Sequence, residues 1–159
     1  MMLRKMFLVV LCLPIIIHAQ IWDDGLAEKY IDTLGDYMMF SGELGYDGGT
    51  RQKGIFFFLY PSNKSSCSSN LEAEDILKIN NNSVDGIFFK QTFPNSDNCY
   101  IQIVPKSPKD LDIIISQFIK SKEVLFNYRS FEISIPTDGF ESKWNSMEKK
   151  SHRNLEYSD

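Results

Sequence analysis

The chain has 159 residues, with 17 Lys and Arg against 21 Asp and Glu, a formal charge of −4 and 13% aromatic side chains. That acidic balance excludes nucleic acid as an expected partner, because phosphate binding draws on surplus Lys and Arg. The only histidines are His18 and His152, which leaves little material for a His-dependent active site or a zinc centre.

Met1 to Lys5 carries Arg4 and Lys5, and Met6 to Ile17 is an apolar run shorter than the roughly 20 residues a membrane-spanning helix needs. Residues 1–19 therefore read as a secretory signal peptide cut after Ala19, and the expected location is periplasmic or secreted. Cleavage removes Arg4, Lys5 and no acid, taking the formal charge from −4 to −6. No second apolar stretch approaches membrane length, so no stable membrane insertion is expected afterwards. Residues 20–150 suit one globular domain, and 151–159 a flexible tail of mixed charge.

In chain order, residues 24–35 permit either a helix or a strand through Leu26, Tyr30, Ile31 and Leu34. Tyr37 to Leu44 is strand-like and ends in the turn-rich segment Gly45 to Gly49. Gly54 to Tyr60 is a continuous apolar run stopped by Pro61, a pattern that suits a strand covered on both faces. Ser62 to Asn70 reads as a polar loop. Ile76–Ile79 and Val84–Phe89 flank an Asn80-Asn81-Asn82-Ser83 cluster and form a β-hairpin, since Asn tolerates the positive φ of tight turns. Cys99 to Val104 alternates as a strand. Pro108 opens the clearest helix, with Leu111, Ile114, Ile115, Phe118 and Ile119 on one stripe and Lys120 near its end. Glu123–Tyr128 and Ser130–Ile135 make a further strand pair, and Phe140, Trp144 and Met147 share a face of a final helix. The expected fold is α+β, mainly β: an antiparallel sandwich or half-open barrel of about seven strands, with one packed helix and a short C-terminal helix.

Cys12 leaves with the signal peptide, and Cys67 and Cys99 then pair in an oxidising compartment. The loop of about 33 residues they close contributes on the order of 3.5 kcal/mol in the chain-entropy account. Acids are available for glycan chemistry at Asp23-Asp24, Glu72-Glu74-Asp75 and Asp110-Asp112, but acids near turns and helix starts are ordinarily solvated or capping residues. The glycines of segment 42–49 lack the Lys-Ser/Thr signature of a phosphate loop. The clusters Phe56-Phe57-Phe58 and Phe88-Phe89 read as core. Tyr46, beside Asp47 in the Gly-rich loop, is the candidate partner contact. The sequons at Asn63 and Asn81 would be used only in a eukaryotic source, whereas abundant Asn, Lys and Ile point to an AT-rich bacterium. No catalytic residue, metal site or cofactor site is expected.

Phe118-Ile119, Ser121, Val124 and Phe126, then Ile133, Ile135-Pro136, Gly139-Phe140 and Trp144, resemble the end of small exported bacterial proteins of the invasion-associated locus B type. The resemblance covers residues 110–147 and implies a β-rich, non-enzymatic, periplasmic or surface-associated protein with a structural disulfide. The expected function is accordingly that of an exported, non-catalytic protein acting through protein contacts, including contacts with a host. The alternatives are a periplasmic immunity or inhibitor protein directed at a toxin or cell-wall hydrolase, and a glycan-active hydrolase.

Overall fold

The computed structural model describes residues 22, 26–30, 37–47, 50–62, 71–93, 96–129 and 131–155. The segment 1–19, Cys67 and the Asn63 sequon lie outside these residues. The strands are β1 (Leu26–Tyr30), β2 (Tyr37–Tyr46), β3 (Lys53–Pro61), β4 (Leu71–Ile79), β5 (Asn82–Thr92), β6 (Cys99–Pro105), β7 (Glu123–Tyr128) and β8 (Phe131–Pro136). Helix α1 (Pro108–Lys120) lies between β6 and β7, and α2 (Phe140–Leu155) follows β8. Among the described residues, eight strands join one antiparallel sheet in the order β1-β2-β3-β6-β5-β4-β7-β8. The fold is thus mainly β in the half-open barrel form, with one more strand than the expected seven because Leu26–Tyr30 forms β1.

The curl of the sheet follows from which rings meet. In a flat sheet β2 and β7, five steps apart, would be separated by roughly 24 Å at about 4.8 Å per step. Yet the rings of Phe40 on β2 and Phe126 on β7 lie 5.1 Å apart, and Phe57 on β3 is 5.0 Å from Phe126. Phe40 also stacks on Phe131 of β8 at 6.1 Å. Only a sheet rolled about its inner face brings these rings together, and burial of those aromatics drives the rolling. Ile55, Phe57 and Leu59 of β3, Leu77 and Ile79 of β4, Ile103 of β6 and Val124 and Phe126 of β7 are all at or near zero exposure on this face.

Two helices complete the core. Ser107 caps α1 by accepting the Asp110 N–H at 3.2 Å, and its hydroxyl also meets the Asp110 carboxylate. Pro108 fills the first turn, and Ile114, Ile115 and Phe118 bury the apolar stripe. Trp22 closes the junction of the two helices. Its ring stands edge-on to Phe118 at 5.5 Å and to Phe140 at 5.2 Å, and its indole N–H donates to the Pro136 carbonyl at 2.9 Å. A Cβ on Gly42 would meet that indole at 2.9 Å, so β2 needs glycine there. Phe140, Trp144 and Met147 dock α2, which runs to Leu155.

The expected hairpin is present with Ile79 paired to Asn82 and Asn80 at φ 54°. Asn80 also joins distant parts of the fold: its side-chain oxygen accepts the Leu125 N–H at 2.8 Å, and its amide donates to Gln117 of α1 at 2.9 Å. The β4–β7 ladder has only two register pairs, and Asn80 extends it. Strand β4 begins at Leu71, so Glu72, Glu74 and Asp75 sit within a strand and not at a turn or helix start.

Candidate functional site

The main departure from the sequence reading concerns β3. Its continuous apolar run is not covered on both faces: Ile55, Phe57 and Leu59 are buried, whereas Phe56, Phe58 and Tyr60 alternate with them and are half-buried. Phe88 and Phe89 divide likewise, Phe88 inward and Phe89 outward. The aromatic clusters are therefore core on one phase only.

The other phase builds a surface on the outside of the curl. Register aligns Phe58 of β3 with Gln102 of β6, and Gln102 in turn with Phe89 of β5. One step along, Tyr100 pairs with Gln91, and in the opposite direction Val104 pairs with Ile87. An amide thus stands between two phenyl groups at the centre of the sheet's outer face. Tyr100 donates its hydroxyl to Gln91 Oε1 at 2.6 Å and packs 5.0 Å from Phe93, whose ring stacks on Tyr60 at 6.3 Å. Phe93 is 38% exposed, so these rings are reachable from solvent.

Beside this cluster the sheet opens. Strands β3 and β6 share only three register pairs, Phe57–Ile103, Phe58–Gln102 and Leu59–Ile101, and they diverge toward Gly54 and Pro105. The gap is a trough of about 600 Å³ whose floor includes Phe56, Phe89, Val104, Gln91 and Gln102. A second hollow of about 310 Å³ over Tyr60, Phe93 and Tyr100 shares Gln91 with it. At the rim, Lys53 lies over the Trp144 ring at 4.0 Å, and Lys106 forms an ion pair with Glu74. That carboxylate, with Asp85 and Asp110 adding smaller attractions, raises the Lys106 ammonium above its ordinary 10.5. The polar lining combines the amides of Gln52, Gln91 and Gln102 and the hydroxyls of Thr50 and Ser107 with the charged Asp47, Lys53 and Lys106.

The sequence-derived candidates fall elsewhere or at the margin. Tyr46 is 44% exposed, but its hydroxyl donates to the Met147 carbonyl at 2.7 Å and fastens β2 to α2. Asp47 lies at the trough rim, where Oδ1 accepts the Thr50 N–H at 2.6 Å and the Thr50 hydroxyl at 2.8 Å, an Asx-type turn. Cys99 is buried at the start of β6. Asp75 accepts from the Ile76 N–H, Arg129 and Tyr128, and the Ile76 amide followed by the Arg129 guanidinium holds its carboxyl below the ordinary value. Asp110 serves the α1 cap and also accepts the Asp85 N–H at 3.2 Å. Asp23 and Asp24 lie outside the described residues, as does the His152 side chain. Among the described residues no three His, Cys, Asp or Glu side chains gather as metal ligands, and no described helix is long and apolar enough to cross a membrane.

The outer face was missed because the apolar run of β3 conceals its period of two. The signal lies in the partner strands, where Phe89-x-Gln91 and Tyr100-x-Gln102 set amides on the same phase as rings. Comparison of the chain with family models, curated proteins and solved structures finds no match.

Proposed function

We propose that this is an exported, non-catalytic recognition protein, held together by a Cys67–Cys99 disulfide, that works in the bacterial periplasm or at the cell surface. Its contact surface is the outer face of β3, β6 and β5. The observation that carries the reading is the Phe58–Gln102–Phe89 row with Tyr60, Phe93 and Tyr100 beside it, an aromatic and amide surface left half-exposed while the same strands bury their other phase. Aromatic side chains bring large contact area at low entropic cost, which makes them the usual anchors of recognition surfaces.

Support for a non-catalytic role of the trough comes from its acids. Glycoside hydrolysis draws on a pair of carboxylates flanking the bond. The trough is lined by one, Asp47, whose Oδ1 already accepts two bonds from Thr50. Export is supported by the leader-like residues 1–19, and the likeness of residues 110–147 to invasion-associated locus B proteins agrees with a surface role. The test is retention of the source's envelope components on immobilised domain 20–159, compared with a Phe58→Gln/Phe89→Gln variant of unchanged thermal stability. Saturable retention that the variant loses supports the reading, and equal retention by both removes the outer face from the function.

A further inference from the structure

Resting on that reading, we propose that the trough takes a neutral oligosaccharide, one sugar ring stacked on Phe56 and hydrogen-bonded by Gln102, with Gln91 meeting a further sugar along the chain. The placement of Phe56 is the starting point. Gly45 and Gly54 face each other across β2 and β3, and a Cβ on either would lie 3.4 Å from the Phe56 ring. With no side chain on either glycine, the Cδ2–Cε2–Cζ edge of the ring reaches over the pair, and the ring also lines the trough. Covering of strand glycines by an aromatic ring accounts for the ring's position. It does not account for a hollow of about 600 Å³ alongside that ring, within the usual range for ligand sites.

The polar groups decide the ligand class. Gln102 is half-buried between Phe58 and Phe89, and its side-chain amide forms no hydrogen bond among the described residues. An apolar peptide side chain laid across that row would leave the amide desolvated and unpaired, at a cost of about 1–3 kcal/mol. A sugar hydroxyl both donates and accepts, and so satisfies an amide in either sense. The C–H face of a pyranose meets the negative face of an aromatic ring favourably. Thr50, Gln52 and Ser107 add neutral polar groups to the lining at the Gly54–Pro105 end of the trough. Because Asp47 is bonded to Thr50, Lys53 lies over Trp144 and Lys106 is paired with Glu74, a charged ligand would lose hydration without a free counter-charge to replace it.

The test is a titration of isotope-labelled domain 20–159, followed by its amide resonances, with cellohexaose, chitohexaose and maltohexaose to about 10 mM each. At least one is expected to shift the amides of Gly54–Phe58 and Ile101–Val104 saturably. Phe56→Leu, checked by its thermal melt, should weaken that binding about tenfold while Phe56→Trp preserves it. Absence of such shifts with all three sugars, or equal binding by Phe56→Leu, overturns the proposal. If the sugars fail while envelope retention still depends on Phe58 and Phe89, the sugar assignment falls and the recognition reading stands. If both fail, both fall.

Discussion

The two faces of the rolled sheet are made from the same strands and much the same residue types, yet they are built to different ends. On the inner face Phe40, Phe57 and Phe126 pack ring to ring at 5.0–5.8 Å with essentially no exposure. On the outer face Phe56, Phe58 and Phe89 alternate with them, separated by amides and left half-exposed. The difference teaches that a run of Phe in a strand does not by itself mean burial on both sides. What distinguishes the faces is the company each ring keeps: Phe40, Phe57 and Phe126 meet other rings inside, whereas Phe58 and Phe89 flank Gln102 outside.

The sharpest break in the comparison comes from truncating one ring on each face. Phe57→Ala should cost about 3–5 kcal/mol, because it opens a cavity among Phe40, Phe118 and Phe126. Phe58→Ala, one residue on, should cost about 1 kcal/mol, since the ring is only half-buried and its loss opens a site that water can enter. Urea unfolding of both variants measures the gap, and equal losses would erase the distinction between the faces.

Cys99 lies on the inner phase with Ile101 and Ile103. Replacing Cys67 and Cys99 together by Ser should lower stability by about 3.5 kcal/mol if the proposed bridge closes the loop between them. Denaturation with and without reductant measures it, and the wild-type chain should fall to the variant's level on reduction.

Asn80→Ala is expected to cost about 2 kcal/mol. The side chain's bonds to the Leu125 N–H and to Gln117 are lost, and alanine is strained at φ 54°. Amide exchange should then quicken at β7 before the outer-face strands β3 and β6, because Asn80 extends the short β4–β7 ladder.

The smallest effect concerns Asp75, an inner-phase position of β4 at the open margin, with its side chain 36% exposed. Its carboxyl is held below the ordinary 3.8, first by the Ile76 amide and then by Arg129. A depressed carboxyl adds stability that is present above the unfolded value and is lost as pH falls through the folded one. Acid unfolding followed from about pH 5 to pH 2 should therefore be slightly shallower in Asp75→Asn than in the wild type. A steeper loss in the variant would reverse the sign assigned to this group.

Most of the fold was legible because its signals are local. Alternation located the strands, the Asn cluster located the hairpin, and Pro108 with the Leu111–Phe118 stripe located α1. What stayed hidden depends on contacts between residues far apart in sequence. Rolling of the sheet is decided by Phe40 meeting Phe126 and Phe131, 86 and 91 positions away. The outer face likewise needs the β3–β6–β5 register before Gln102 can be seen between Phe58 and Phe89. Tyr46 and Asp47 looked available because loop composition is visible in sequence, while their bonds to Met147 and Thr50 are not.

The most direct test of the two-faced sheet is hydroxyl-radical footprinting of the aromatic side chains, with the domain free and then saturated with its source's envelope components. Phe40, Phe57, Phe118 and Phe126 should stay unmodified in both states, while Phe56, Phe58, Phe89, Phe93 and Tyr100 should react when free and become protected when bound. Protection that falls elsewhere on the molecule, with the outer rings equally reactive in both states, would contradict the account.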